Sequence, residues 1–218
     1  YFVGVNPEMD CLAFAASDFC GNLITKKIKV PYVYRNTPEN LERLGEIINE
    51  FIAGLPISKE EILQVCVNVA ERVNPFEGKA YNMFTFLENP LAEKLTELIQ
   101  LPVCIENDTR SMAFAEFIKG CCKGMKDVIF VNMCWGLGIG IIIDGKLYYG
   151  KSGYSGEFGH MTAYNNNIIC HCGKIGCIET EVSGRALKRR LTENIMAGKP
   201  SILSDKVLNR KEELSLQD

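Results

Sequence analysis

The sequence predicts an α/β protein of two lobes, on three observations. Residues 1–30 read as strands, residues 37–119 alternate helical and extended periodicity, and strand patterns return from Val128 onward. A single doubly wound sheet would keep alternating to the end. The division is expected near residues 105–107, giving a smaller α/β lobe over 1–105 and a larger one over 106–218.

The elements follow in order. Tyr1–Asn6, Cys11–Ala16 and Leu23–Val30 are extended apolar runs, with Cys20-Gly21-Asn22 as the turn before the third. Thr37-Pro38 is a helix start, because threonine caps and proline is tolerated at the first helical position. Leu41, Leu44, Ile48, Phe51 and Ile52 then recur at helical spacing until Gly54. Ile62–Val69 is a short β-branched run, a buried strand, and Asn74–Met83 reads as loop. Pro90–Ile99 is an amphipathic helix. Val103–Glu106 is a strand feeding a helix from Asp108 to Lys119. Val128–Met133 is a continuous apolar strand, and Asp144-Gly145 is a hairpin turn inside "GLGIGIIIDGKLYYG". Ser183–Ala197 has helical period, and the last 18 residues read as a polar tail that closes no core.

Composition narrows the function classes. A chain of 218 residues with 47% apolar content can bury a substantial core. A net charge of -3 argues against a general nucleic-acid surface, which would favour a basic face. No apolar run is long enough to span a membrane, and the opening residues lack the basic start and apolar stretch of a leader, reading as a strand entered at once. Ten cysteines accompany a full apolar core, unlike a small disulfide scaffold. Cys11, Cys20, Cys66, Cys104 and Cys134 are therefore expected as small buried hydrophobes in a reducing cytoplasm.

Three cysteines are clustered. Cys170-x-Cys172-x4-Cys177, with His160 ten residues earlier, offers three sulfurs and an imidazole on one short stretch, a donor set that suits tetrahedral zinc. Four protein ligands leave no position for water, so the ion would brace the loop structurally. Free thiols or one disulfide on a surface loop are the plainer alternative. His171 competes as a ligand, although its neighbours Cys170 and Cys172 already claim the metal.

"GKLYYGKSGYSGEFGHM" followed by "CHCGKIGCIETEVSGRAL" resembles the signature of the ROK family of bacterial sugar kinases and sugar-responsive repressors, with its G-E-x-G-H and C-x-C-G-x-x-G-C-x-E motifs. "IENDTRSMAFAE", residues 105–116, resembles the family's N-D segment. The resemblance implies a two-lobed actin-like ATPase (ribonuclease H-like) fold with an interlobe cleft. It also implies a monosaccharide site lined by Asn107, Asp108, Glu157, His160 and Glu179. The chemistry is apt, since carboxylates accept charge-assisted bonds from sugar hydroxyls and a metal-fixed loop would hold them in place. Without the motif, Asp108 reads as a helix cap, Asn107 as a turn residue and the two glutamates as solvated charges.

In the family's kinases the aspartate equivalent to Asp108 is the base that takes the sugar's proton. Transfer also needs a cradle for ATP phosphates, and here the sequence departs from the pattern. The D-x-G-G-T loop is replaced by Asn6-Pro7-Glu8-Met9-Asp10, where proline lacks an N–H and glutamate repels phosphate. In the second loop, Gly136 and Gly138 remain as weak phosphate candidates, but Leu137 replaces a hydroxyl residue. Ala70-Glu71 stands where the family has a Pro-Gly loop touching the sugar, which bears on the sugar's identity. ATP and magnesium binding are therefore not expected. The sequence reads as the sugar-sensing effector domain of a ROK transcriptional regulator, leaning away from an enzyme; the alternative is an ATP-dependent hexose kinase with Asp108 as base. By the resemblance, DNA would be read only through a helix-turn-helix domain preceding Tyr1, the protein would be a homo-oligomer, and the family's closing helices would follow Asp218.

Overall fold

The computed structural model describes residues 1–215. Strands β1 (Phe2–Pro7), β2 (Cys11–Ser17) and β3 (Leu23–Pro31) form an antiparallel meander. Helix α1 (Pro38–Ala53) follows, and β4 (Gln64–Val69) then pairs parallel to β1. A small hairpin of β5 (Val73–Asn74) and β6 (Lys79–Ala80) leads to α2 (Leu91–Ile99). Strand β7 (Val103–Asn107) completes a five-stranded sheet in the order β3-β2-β1-β4-β7.

The core of this sheet follows from period two in the strands and 3.6 in the helices. Val3, Val5, Leu12, Phe14, Ala16, Val65, Val67, Val69 and Ile105 lie on one buried face, and Leu41, Leu44, Ile48, Phe51, Leu95 and Ile99 from α1 and α2 pack in the same cluster. Phe14 stacks on Phe51 with ring centroids 4.7 Å apart. Thr37 caps α1 by accepting the Asn40 N–H, Pro38 occupies the first turn, and Gly54 ends the helix on Phe51 and Ile52 carbonyls.

Helix α3 (Asp108–Lys119) begins on the residue after β7. Strands β8 (Val128–Met133), β9 (Leu137–Ile143) and β10 (Lys146–Leu147) form a second, antiparallel sheet in the order β10-β9-β8. Asp144 and Gly145 both take positive φ, as a tight two-residue hairpin requires. Helix α3 lies close on β9: a methyl at Gly138 would sit 2.8 Å from Thr109 Oγ1, and one at Gly140 would run into Ala113. On the opposite face Ile129, Val131 and Met133 are exposed, so β8 is apolar on both sides although α3 covers only one. Helices α4 (Gly184–Met196) and α5 (Ser204–Leu208) close the described chain. No helix among the described residues is long and apolar enough to cross a membrane.

Three expectations need correction. The stretch Asn74–Met83 is not all loop, because β5 and β6 pair across a turn too short for periodicity to reveal. The polar tail is ordered through α5, an ion pair joins Lys188 to Glu213, and Leu214 is buried; residues 216–218 lie outside the described residues. Cys20 and Cys134 are exposed, and Cys66 and Cys104 half-buried, so only Cys11 of that set is a buried hydrophobe. Cys20 and Cys134 sit in turns beyond strand ends, where no opposing layer covers them.

Leu95 is fully buried beneath α1 and the sheet. Leu95→Ala is expected to lower stability by about 2–5 kcal/mol in urea unfolding, through lost burial and the cavity left behind, with an unchanged far-ultraviolet spectrum.

Candidate functional site

The stretch from Gly156 to Glu181 has little regular structure, and its shape comes from local bonds. Ile169 pairs with Ile175 and Thr162 with Cys177 as isolated bridges. The Cys170 N–H bonds the Lys174 carbonyl at 2.7 Å and the Gly173 N–H bonds the Cys170 carbonyl at 2.8 Å, which turns the chain back on itself. That knuckle gathers His160, Cys170, Cys172 and Cys177 so that their donor atoms all lie within 4.8 Å of one another. Cys172 and Cys177 sulfurs are 3.7 Å apart, and His160 Nδ1 is 3.5 Å from Cys170 Sγ. No sulfur pair is bonded; all ten cysteines are free. Four converging donors of this kind can hold a metal ion.

The same ring of His160 turns its other nitrogen outward, placing Nε2 3.9 Å from Glu157 Oε2. Burial pushes the Glu157 carboxyl up, and Arg72 and Arg110 oppose this. Glu179 is buried and held by both oxygens: Oε2 accepts the Leu137 N–H at 3.0 Å, and Oε1 faces His171 Nδ1 at 2.9 Å. Burial works against its ionisation, yet the His171 and Leu137 contacts hold its carboxyl below the usual range. His171, expected only as a competing ligand, instead orients Glu179; with His160 and Glu179 it forms a second set of donors able to take a cation.

Asn107 and Asp108 lie at the start of α3, the helix packed on β9. Asn107, rather than Asp108, caps α3: its Oδ1 accepts the Arg110 N–H, and its Nδ2 donates to the Glu71 carbonyl at 3.1 Å. Asp108 is the first helical residue, its Oδ1 accepting the Thr109 N–H at 2.7 Å. Burial pushes its carboxyl up, partly offset by that bond. The two half-sites meet through Gly136-Leu137-Gly138. A methyl at Gly136 would come within 2.8 Å of Glu179 Oε2, and one at Gly138, two residues on, within 2.8 Å of Thr109 Oγ1. Thus the structure groups Glu157, His160 and Glu179, with Asp108 at the start of the helix that packs on β9 and no hydrogen bond or ion pair between Asp108 and either glutamate among the described residues. A cavity of about 60 Å³ next to the knuckle is lined by His171, Glu179, Ser183 and Arg189; one of about 180 Å³ lies by Lys79, Phe84 and Asn89. Asp108 and Glu157 line neither.

The two segments at the phosphate-loop positions are otherwise engaged. Residues Glu8–Asp10 make the tight turn between β1 and β2, with the Glu8 N–H bonded to the Cys11 carbonyl at 2.8 Å and Pro7 lacking a donor. In the second segment the Leu137 N–H is taken by Glu179 and the Ile139 N–H by the Gly156 carbonyl.

Sequence reasoning missed Arg110. Only 2% exposed, it pairs with Glu106 at 2.7 Å, donates to the Val73 carbonyl at 3.3 Å and to the Gly153 carbonyl at 2.6 Å, and lies over the Tyr149 ring. Tyr149 donates its hydroxyl to the other Glu106 oxygen at 3.0 Å. Within a helical pattern a single arginine gives no signal that separates such a hub from a solvated charge.

The profile of the ROK family matches residues 13–216. The chain is 30% identical over 193 residues to the xylose repressor of Bacillus subtilis, covering 88% of this chain and 50% of that protein. It is 34% identical over 189 residues to a glucokinase of Streptomyces coelicolor, covering 86% of this chain and 57% of that protein. A crystal structure of a ROK family transcriptional regulator, a homologue of the Escherichia coli MLC protein, superposes on it with a TM-score of 0.76 at 28% identity, covering all of this chain and 54% of the other. The chain therefore spans about half the length of these relatives, and its architecture is the two-lobed actin-like fold of that family.

Glu71 supplies a pH test of this region. One carboxyl oxygen accepts the Asn82 N–H at 2.7 Å, while Oε1 is buried with no partner. Burial pushes its pKa up to about 7, against bonds from Asn82 and Met83 and the charge of Arg72. The folded state then holds a proton that the unfolded state releases at lower pH, so Glu71 costs stability as pH rises from its ordinary value towards 7. Glu71→Gln is expected to raise the melting temperature at pH 8 more than at pH 5 and to flatten the slope between them in calorimetry.

Proposed function

The chain belongs to the ROK family, and we propose that it is the sugar-binding effector domain of a transcriptional regulator that no longer transfers phosphate efficiently. The observation that carries this reading is the engagement of the phosphate-loop positions: a closed turn at Pro7-Glu8 and a Leu137 N–H already bonded to Glu179. An ATP phosphate would find a missing donor, an acidic side chain and an occupied donor together. Hydrogen bonds to charged oxygens are worth about 1.5–3 kcal/mol each, so losing two or three removes most of the affinity of a nucleotide site.

The sugar reading rests on the other half of the site. Asp108, Glu157 and Glu179 would accept bonds from the hydroxyls of a monosaccharide or its derivative, and His160, with Nδ1 turned to the metal cluster, would donate its Nε2–H to one of them, with Asn107 fixing the start of α3 and offering its second carbonyl lone pair. The lobes over 1–105 and 106–218 would flank the ligand.

Zinc fits the metal cluster. Bonds of about 2.3 Å to sulfur and about 2.0–2.1 Å to nitrogen give a tetrahedron with sulfur–sulfur edges of about 3.8 Å and sulfur–nitrogen edges of about 3.6 Å. The 3.7 Å and 3.5 Å separations match those edges. A disulfide would need sulfurs about 2.05 Å apart. With four protein ligands the ion would be structural: His160, Cys170, Cys172 and Cys177 would hold it, leaving His160 Nε2 towards Glu157. In a regulator, ligand would act by binding one conformation more tightly than another, a bias of at most about 2.7 kcal/mol per site at a hundred times the dissociation constant. DNA contact would belong to a separate domain of a longer protein, and a homo-oligomer is the expected assembly.

One observation favours the kinase alternative. Burial raises the Asp108 carboxyl, a property that suits a general base in ATP-dependent transfer to a hexose. Titration calorimetry separates the two. Monosaccharides such as D-xylose and D-glucose are expected to bind equally well with and without MgATP, and MgATP alone to give no heat. MgATP binding accompanied by sugar phosphorylation would replace the sensor with the kinase.

Metal content is tested apart from sugar. Purified protein is expected to carry about one zinc per chain by elemental analysis, and Cys172→Ser to lose it with a clear fall in melting temperature. Wild-type protein free of zinc after purification without chelators would remove the metal from the proposal.

A further inference from the structure

Two loops that border the carboxylate group carry aromatic rings outside the protein's core. Tyr81 follows the β5–β6 hairpin and Tyr154 lies three residues before Glu157; their rings meet edge to face, with centroids 5.2 Å apart at 72°. Phe76 in the hairpin meets Tyr149 in the same way, at 5.1 Å and 64°. None of the four belongs to the buried cluster, and Phe76 and Tyr81 are 74% and 41% exposed. An edge-on contact uses the rim of one ring and one face of the other, which leaves ring faces available to a ligand.

The position of this lip is fixed by strong contacts. The Gly153 carbonyl is held by Arg110 Nη1, and a methyl at Gly153 would touch Pro75 and Asn74 at 3.2–3.3 Å, so the loop sits directly on the hairpin. Tyr154 is therefore anchored at one end of a short segment whose other end carries Glu157. Arg72, adjoining the hairpin, is close enough to act electrostatically on both.

We propose that Tyr81 and Tyr154 form an aromatic subsite for a second sugar ring, so that the ligand is a disaccharide or longer glycoside whose first ring occupies the carboxylate group. This rests on the sugar-binding reading and extends it. The side chains assigned to the first ring are polar, chiefly carboxylates. A pyranose ring is amphipathic, with C–H groups on its faces and hydroxyls at its rim. Tyrosine matches that pattern, since its ring face is apolar and its hydroxyl can bond the rim. A glycosidic bond places the second ring within one ring's length of the first, the scale of the three-residue step from Tyr154 to Glu157.

The test is calorimetry on the full chain with matched sugars: D-glucose against cellobiose and maltose, and D-xylose against xylobiose. For whichever monosaccharide binds, one of its disaccharides is expected to bind about tenfold more tightly, equivalent to about 1.4 kcal/mol. Tyr81→Ala and Tyr154→Ala should each remove that gain while leaving the monosaccharide's dissociation constant within about twofold. A monosaccharide that binds with no gain from its disaccharides, or a gain that survives both substitutions, overturns the subsite and leaves the sugar reading standing. If the rings only pin the hairpin to the loop, both variants will melt earlier with every affinity ratio unchanged, which also overturns it. Failure of every sugar to bind removes the underlying reading and this inference with it.

Discussion

The buried guanidinium of Arg110 sets the geometry on which the rest of the site depends. It reaches from α3 to three other segments: Glu106 at the end of β7, the Val73 carbonyl in β5, and the Gly153 carbonyl in the loop leading to Glu157. Burying an ion is costly, and the cost is offset only when every donor finds an acceptor. Here Nε and Nη2 both approach Glu106 Oε1, and Tyr149 satisfies the second carboxylate oxygen while its ring lies under the guanidinium. Breaking such a pair typically costs about 3–5 kcal/mol, because the partner is left charged and unpaired. Lysine would not substitute, since a point charge cannot serve three directions with a planar fork. The first turn of α3, carrying Asn107 and Asp108, is thereby placed in a fixed relation to the hairpin and to the Glu157 loop.

The knuckle provides the second constraint, and it acts at the edge of β9. Short backbone bonds such as Cys170 N–H to the Lys174 carbonyl fold the cysteine loop, and the segment carrying His160 is seated on β9 through Gly156 and Gly159. Gly156 shows how tightly the segment is pressed against the strand: any side chain there would collide with the Ile139 carbonyl, and its own φ is +90°. Glu179 emerges from the far end of the knuckle and reaches the Leu137 N–H at the start of the same strand. Arg110 and the knuckle thus fix two groups of polar side chains around the start of one β-strand, by unrelated chemistry.

What could be read from the sequence was what the chain encodes locally. Thr37-Pro38 and the recurring Leu41, Leu44 and Ile48 specify α1 without reference to the rest, as Asp144-Gly145 specifies a hairpin. The spacing of Cys170, Cys172 and Cys177 marks a convergent set of potential metal ligands for the same reason. Arg110 was illegible because its acceptors at Val73 and Gly153 lie 37 and 43 residues away. The role of His171 was hidden similarly: its neighbours in sequence are cysteines, yet its closest ionic partner is Glu179. Without the family motif Asp108 reads as the cap and Asn107 as a turn residue, one position off the observed cap at Asn107, since both residue types favour that position equally. The short α5 and the β5–β6 pair offer too few residues for any period to emerge.

The placement of Glu179 has a consequence for any ligand on this surface. Its carboxylate occupies the Leu137 N–H, a donor in the glycine-containing segment that an anion would otherwise use. A phosphate approaching that segment would have to displace the carboxylate or sit beside it, and two like charges about 4 Å apart repel by about 1–4 kcal/mol depending on how wet the site is. A neutral sugar meets no such opposition, because its hydroxyls can donate to the carboxylate while Leu137 keeps it in place. The same bond therefore favours a neutral polyol over an anion. It also ties any movement of Glu179 to the start of β9, the strand against which α3 and Asp108 are packed. In a protein that responds to sugar by changing shape, this strand is the element both half-sites can bias, since each touches its backbone within a span of three residues, Gly136 to Gly138.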